Sequence, residues 1–346
     1  RGPSNAARGG EAERDVPELV RGTSSGLSES IANMRASVLQ LRERKALEGG
    51  AVSYARQVLR GRTLVVARRC SEQRYFLIPR PWVNRVLRYL LAHYANKHGI
   101  ELHGFAFMGN HFHLVLTDTR GSLPLFMGEF DSMVSRVMNH ELGRRGSFWE
   151  AGSYSALPLK TQEDVLQQLS YLAANPVAAR QVKRPERWRG LLSLPAEVGT
   201  SRAYGPPACG LFGCGHEGSA LPESATLTLT VPPFFDSARP ARFRARFARV
   251  LDAVCAEILS EGGRFAGRDA VLRLDPFSAP RSAEAGPSFG LIPALANASA
   301  EDRAELKIWR EEVRAAFYDW QDGKDPLFPQ GAYLMPTKYK ARVVPP

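Results

Sequence analysis

Residues 110–116 read Asn-His-Phe-His-Leu-Val-Leu, and this stretch decides the fold around which the candidate site is built. Successive side chains of a β-strand point to opposite faces of the sheet. The hydrophobic side chains at positions 112, 114 and 116 can therefore enter a core, while His111 and His113 lie side by side on the opposite face. Neutral imidazole is a common metal ligand, so the pair predicts half of a divalent-metal site. The alternative from this spacing alone is two surface histidines on an exposed strand.

A helix carrying a tyrosine is predicted further along the chain. Thr161 is suited to cap it, since acidic residues follow in the first turn and apolar residues then recur at helical spacing. Tyr171 and Asn175 are four residues apart and therefore lie on the same, more polar face. Because Pro176 disfavours helical backbone in the residue before it, we expect the helix to end at Asn175 and the amide to reach outwards. For Tyr171, packing in the core is the alternative.

Three motifs occur in order along the chain: Met-Gly-Asn-His-Phe-His-Leu at residues 108–114, Phe-Trp-Glu at 148–150 and Tyr-Leu-Ala-Ala-Asn-Pro at 171–176. Together they resemble the REP-associated tyrosine transposases, which are bacterial, insertion-sequence-like members of the superfamily of single-tyrosine transposases with a His-hydrophobic-His (HUH) motif. The resemblance covers residues 56–200. This chain has Gly109 where the family usually has proline, a difference in the approach to the strand rather than in a ligand.

The resemblance implies a fold, a site and a reaction. The fold class is α+β, with a ferredoxin-like antiparallel sheet, covering helices and the histidines on the central strand. The site is a divalent metal bound by His111, His113 and Asn175, with Tyr171 as the nucleophile. Imidazole and amide-oxygen ligands suit Mg or Mn better than a closed zinc site. The reaction is metal-dependent cleavage and joining of single-stranded, hairpin or palindromic repeat DNA through a 5′-phosphotyrosine intermediate.

Two other functions would use the same residues. A nucleic-acid-binding protein that kept the fold after losing its chemistry would bind hairpin DNA without cleaving it. A metal-dependent hydrolase acting through activated water would need the metal ligands but not Tyr171. The presence of all four implied site residues favours the transposase. The resemblance is compatible with a homodimer.

The formal net charge of +11 and the pI near 9.7 indicate an acidic partner. Trp149, Tyr154 and Trp188 lie among basic residues, where they either stack on unpaired bases or pack in the core. Seven cations near the motifs are candidates for contacts with the DNA backbone. They are Arg68, Arg69, Arg136, Arg144, Arg145, Lys183 and Arg184.

Other features of the sequence bear on its location. Four cysteines in so long a chain indicate no disulfide framework, which fits a cytoplasmic, nucleoid-associated protein. No apolar run is long enough to cross a bilayer, so no membrane partner is expected. Cys209, Cys214 and His216 form a cluster that lacks a fourth ligand at the usual zinc spacing, so a structural zinc is not the favoured interpretation.

The composition divides the chain into four regions. They are a disordered N-terminus with an accessory helix (1–55), the HUH transposase domain (56–200), a Gly/Pro-rich linker (201–240) and a helical C-terminal extension (241–346). Hydrophobic patterns predict strands at 63–69, 100–108, 111–117 and 225–231, and helices at 81–98, 131–142 and 301–320 as well as one that starts near 241. Residues 108–110 are short enough to form a hairpin turn between two of these strands.

Overall fold

The computed structural model describes residues 56–152, 154–207, 221–280 and 300–345. The predicted N-terminal disorder, the accessory helix and the Cys/His cluster lie outside these residues. Within them the chain forms one six-stranded sheet with helices on both faces. None of the helices in these four stretches is long and apolar enough to cross a membrane.

The sheet has the strand order β4-β1-β3-β2-β6-β5. Neighbouring strands are antiparallel except β2 and β6, which are parallel. The strand with the two histidines lies between β1 and β2, which agrees with the predicted central position. The α+β fold class is confirmed, although the parallel pair makes the sheet mixed rather than wholly antiparallel. The strands are β1 (Arg62–Arg69), β2 (Ile100–Phe107), β3 (His111–Asp118), β4 (Ser155–Pro158), β5 (Thr200–Tyr204) and β6 (Ala225–Leu229).

Six α-helices accompany the sheet in the described residues. They are α1 (Pro81–His98), α2 (Leu123–Glu141), α3 (Gln162–Ala178), α4 (Pro240–Ser260), α5 (Ala300–Gln321) and α6 (Leu334–Tyr339). Single turns of 3-10 helix lie at Ser71–Gln73, Pro185–Arg187, Pro195–Glu197 and Ala270–Arg273.

The hairpin between β2 and β3 fixes which face each histidine occupies. The Met108 N–H donates to the His111 carbonyl at 2.8 Å and closes the predicted turn. Phe112 and Leu114 then point into a core formed with α1 and α2, whereas Val115 points into a second core with α3 and α4. The alternation predicted for β3 is therefore confirmed, but both faces of the strand are covered.

The residues at the ends of the helices on the first face determine where these helices begin and end. Proline in its first turn and a left-handed Gly99 (φ 64°) bound α1, as predicted. Helix α2 begins at Leu123 rather than at residue 131, because the buried Asp118 carboxylate accepts the Ser122 and Leu123 N–H groups at 2.9 and 2.8 Å. That carboxylate comes from the preceding strand and provides the helix with a cap.

The segment expected to be a linker, residues 201–240, contributes to the sheet. It contains β6 and most of β5, and β6 lies parallel to β2 with Leu229 opposite Leu102. Strand β5 was not predicted because its side chains are mainly polar and exposed, as an edge strand allows. The predicted helical C-terminal region is confirmed, and α4 packs its Phe243 and Phe247 against α3.

Candidate active site

The two histidines carry three buried ring nitrogens that make no hydrogen bond with the described residues. Their ring centroids are 5.1 Å apart and the rings are nearly perpendicular (84°). The His111 Nε2 and both ring nitrogens of His113 are buried without a hydrogen-bond partner. Buried polar atoms are normally satisfied, so three such nitrogens in one place indicate a group that binds there.

Asn110 orients the His111 ring, a role that the sequence analysis did not assign. The Asn110 Nδ2 donates to the Gln73 carbonyl at 3.0 Å, which leaves its Oδ1 to accept from the His111 Nδ1 at 2.7 Å. With the proton held on Nδ1, the lone pair of Nε2 is available to a ligand. Metal-binding histidines commonly donate their other N–H in this way. The adjacency of Asn110 to the motif is the only sequence signal for this contact.

Both imidazoles are held neutral. Desolvation lowers the pKa of His111 well below its ordinary value, and the nearby His113 and Arg69 lower it further. Desolvation and then Arg69 lower the pKa of His113 to about 4. The neutral imidazole is the form that can bind a metal.

Helix α3 places the tyrosine against the second histidine. Thr161 caps the helix as predicted: its Oγ1 accepts the Asp164 N–H and its own N–H donates to the Asp164 carboxylate, both at 3.0 Å. The Tyr171 ring centroid is 6.4 Å from that of His113. Desolvation raises the pKa of Tyr171, so the phenol is protonated at neutral pH. It therefore has to lose its proton during any attack on phosphorus.

Asn175 differs from the prediction in position but not in the chemistry that it offers. Helix α3 does not end there; it continues through Pro176 to Ala178. The amide is fully buried instead of reaching outwards, and neither Oδ1 nor Nδ2 has a hydrogen-bond partner in the described chain. A proline inside a helix removes one backbone bond, and the packing of α3 between the sheet and α4 offsets that loss.

A glycine sets the distance between α3 and the sheet. Gly104 on β2 lies directly opposite Val115 of the histidine strand. A Cβ atom at residue 104 would be 2.4 Å from the Leu169 Cδ2, much closer than van der Waals contact. The absence of a side chain at residue 104 therefore lets α3 approach and holds Tyr171 over His113.

The structure separates the two neighbouring arginines of β1. Arg69 pairs with His111 in register and shares its face of the sheet. Arg68 points to the other face, where its Nε lies 3.4 Å from Asp131 and its guanidinium donates to the Gly152 carbonyl. Arg68 is thus part of the packing beneath α2, away from the tyrosine.

Of the remaining candidate cations, one packs against the protein and four are exposed. The Arg144 guanidinium stacks on Phe76 at 4.1 Å and donates to Asn139, so this arginine stabilises the loop after α2. The other four side chains are exposed to solvent: Arg136, Arg145, Lys183 and Arg184.

The three aromatic residues proposed either for stacking on bases or for packing belong to the core. Trp149, Tyr154 and Trp188 are each less than a tenth exposed. The indole N–H of Trp149 donates to the Asp131 carbonyl and that of Trp188 to the Phe107 carbonyl. Their ring faces are therefore not available to bases.

The donor set fits a hard or borderline divalent cation with few protein ligands. Two neutral imidazoles on β3 and one amide on α3 each offer a buried atom without a hydrogen-bond partner in the described residues. In the stretches that the structure describes, no three His, Cys, Asp or Glu side chains form a group suited to a metal. An amide oxygen such as that of Asn175 is a ligand type that a hard divalent cation accepts.

A mixed sheet thus carries paired histidines on a central strand, beside a helix that bears a tyrosine. Residues 66–173 match the family model described as "Transposase IS200 like", which confirms the family resemblance for this part of the chain. A solved structure of the REP-associated tyrosine transposase bound to a REP hairpin is similar over 40% of this chain and 79% of that chain, with 17% identity and a TM-score of 0.35. No curated protein matches the chain.

Proposed function

We propose that this protein cleaves and rejoins single-stranded DNA by transesterification, with Tyr171 as the nucleophile and hairpin or palindromic repeat DNA as the substrate. The observation that carries the proposal is the group of buried, unpartnered donor atoms on His111, His113 and Asn175. Tyr171 lies one helical turn before Asn175 on the same helix, next to His113. The IS200-like family match supports the same class of reaction.

The strand-cleavage step exchanges one phosphorus–oxygen bond for another. The Tyr171 phenolic oxygen attacks the scissile phosphorus, a Tyr–phosphate ester forms and the bond from phosphorus to the 3′ oxygen breaks. The phenolic proton is lost and the 3′ oxygen gains one, so the products are a 5′-phosphotyrosine and a free 3′-hydroxyl. Because one phosphodiester replaces another, the reverse reaction can join a new 3′-hydroxyl without an energy source.

His111, His113 and Asn175 would hold the divalent metal, Mg or Mn. When bound, the metal would polarise the phosphate and offset charge on the leaving oxygen. The protein's own contribution is to fix the ligands beforehand: Asn110 holds the His111 ring, and desolvation keeps both imidazoles neutral. Desolvation keeps the phenol of Tyr171 protonated at neutral pH, so its proton has to leave during the attack.

Basic side chains would guide the DNA backbone towards Tyr171. Arg69 lies on the histidine face, and exposed cations lie within α2 (Arg136), just after it (Arg145) and after α3 (Lys183, Arg184). Such contacts position a strand without reading its sequence. The second candidate function, a binder without chemistry, would use the same cations but would have no need of buried metal ligands.

The test is a covalent-adduct assay. The purified protein is incubated with Mn²⁺ or Mg²⁺ and a labelled single-stranded oligonucleotide that carries a palindromic repeat hairpin, and is then run on a denaturing gel. We expect a shifted band that requires metal and is absent from Tyr171→Phe. Hairpin binding without a band supports the silent binder. Cleavage that persists in Tyr171→Phe supports a hydrolase acting through activated water.

A further inference from the structure

Gln168 lies on the same side of α3 as Tyr171 and Asn175. It precedes Tyr171 by three residues and Asn175 by seven, and these spacings correspond to one and two helical turns. Its side chain is 1% exposed. The adjacent Gln167 is half-buried and points to a different side of the helix, where it has an interaction partner.

The amide nitrogen of Gln168 is an unsatisfied hydrogen-bond donor. Its Nε2 is buried and has no hydrogen-bond partner in the described residues. An unsatisfied buried donor is costly, and a leucine would fill the same space without that cost. The core around α3 is built mainly from such residues, including Leu169 and Leu172, although Ser170 also buries a hydroxyl without a partner in the described residues. An amide retained at residue 168 therefore indicates an acceptor that arrives with a ligand.

The chemistry of the atom limits what that ligand can be. An amide NH₂ donates hydrogen bonds and cannot coordinate a cation through nitrogen. The carboxylates of Asp118 and Asp131 are held elsewhere, at the start of α2 and on the opposite face of the sheet. A phosphate oxygen of the DNA strand is the acceptor that the proposed reaction brings next to Tyr171.

We propose that Gln168 is a further catalytic residue, whose Nε2 donates a hydrogen bond to a non-bridging oxygen of the scissile phosphate. This inference rests on the proposed function. The bond strengthens as the tyrosine attacks, because negative charge accumulates on those oxygens. The two amides thus have different roles. The Asn175 oxygen would bind the metal, and the Gln168 nitrogen would donate to the phosphate.

The experiment compares Gln168→Met with Gln167→Met. Methionine keeps the length and flexibility of the side chain and removes the donor. Single-turnover adduct formation, hairpin affinity and melting temperature are measured for the wild type and both variants, with Mn²⁺ and the labelled hairpin oligonucleotide. Loss of one donor to a developing oxyanion lowers such rates by about 10²–10³-fold. We expect this loss in Gln168→Met only, with unchanged hairpin affinity and an equal or higher melting temperature.

A second variant separates donation from packing. Gln168→Glu retains the shape but replaces the donor with an acceptor that repels phosphate, so its rate should fall below that of Gln168→Met. A Gln168→Met protein that forms the adduct at the wild-type rate overturns the role of Gln168 and leaves the proposed function intact. A lower melting temperature with a rate loss equal to that of Gln167→Met indicates packing and overturns it as well. A wild type that forms no adduct removes the proposed function itself.

Discussion

Replacing Asn175 with leucine should stabilise the metal-free protein, although Asn175 is fully buried in its helix. Leucine has the same branching and the same number of side-chain heavy atoms as asparagine. The substitution removes two buried polar atoms that have no partner in the described chain. A buried amide that lacks partners costs about 1–3 kcal/mol, so the free energy of unfolding should rise by about that amount.

With metal bound, the wild type should become more stable than Asn175→Leu. A ligand at 100 times its Kd stabilises the folded state by about 2.7 kcal/mol, and Asn175→Leu should lose most of this gain. Urea denaturation with and without Mn²⁺ measures both effects, and each kcal/mol corresponds to about 2–4 °C in a melting experiment. Asn175→Asp is the matched control, since it keeps an oxygen ligand and should retain the stabilisation by metal.

The change in stability of Asn175→Leu without metal tests whether the amide is kept for a ligand. If Asn175→Leu is less stable than the wild type without metal, the amide has partners inside the protein and is not kept for a ligand. Equal stabilisation of wild type and Asn175→Leu by Mn²⁺ would likewise remove Asn175 from the ligand set.

Three further predictions concern the scaffold, the pH dependence of stability and the DNA surface. Gly104→Ala puts a Cβ 2.4 Å from the facing leucine of α3, so it should cost about 1–3 kcal/mol in urea denaturation and reduce adduct yield. Gly128→Ala, which meets nothing within 4 Å, should stabilise instead, and identical behaviour of the two variants would contradict the close approach. Desolvation lowers the pKa of the buried His103 to about 4. The unfolded chain therefore binds more protons between about pH 6.5 and 4, and the free energy of unfolding should fall as pH drops through that window, by up to about 3 kcal/mol from this group. His103→Gln should remove that part of the slope, and parallel curves for the two proteins would refute it. Arg69→Gln should reduce the slope of log affinity for single-stranded DNA against log salt by about 0.7, whereas Arg68→Gln should leave this slope unchanged and lower the melting temperature. The opposite assignment of these two effects would place the DNA on the other face.

The histidine strand and α1 could be predicted because local sequence determines them. Alternation in residues 110–116 leaves only one way to bury the hydrophobic set, and this assignment puts both histidines on the other face. Pro81 and Gly99 bound α1 through backbone preferences that act at single residues. Thr161 and Asp164 likewise form a capping box from side chains three residues apart.

The burial of Asn175 and Gln168 could not be predicted from local sequence. Both lie on the face of α3 that reads as polar, and a polar face is normally assigned to solvent. It is enclosed because the sheet covers α3 on one side and α4, which begins at residue 240, covers it on another. The continuation of α3 past Pro176 has the same origin, since tertiary packing overrides the local preference for a helix end.

Strand β5 and the early start of α2 were missed for related reasons. An edge strand with mainly exposed side chains carries no hydrophobic alternation. Helix α2 begins where Asp118, at the end of β3, supplies acceptors to its first N–H groups, a cap that comes from the preceding strand rather than from the residue next to the helix.

The most direct test of the central claim identifies the amino acid that carries the DNA. The adduct formed with Mn²⁺ and the hairpin oligonucleotide is digested with nuclease and trypsin, and its peptides are analysed by mass spectrometry. Cleavage after Lys160 and Arg180 releases residues 161–180, in which Tyr171 is the only tyrosine. We predict that this peptide carries a 5′-nucleotide on Tyr171 and that the modification requires metal. A nucleotide on another residue, or cleaved DNA with residues 161–180 unmodified, would contradict the assignment of Tyr171 as the nucleophile.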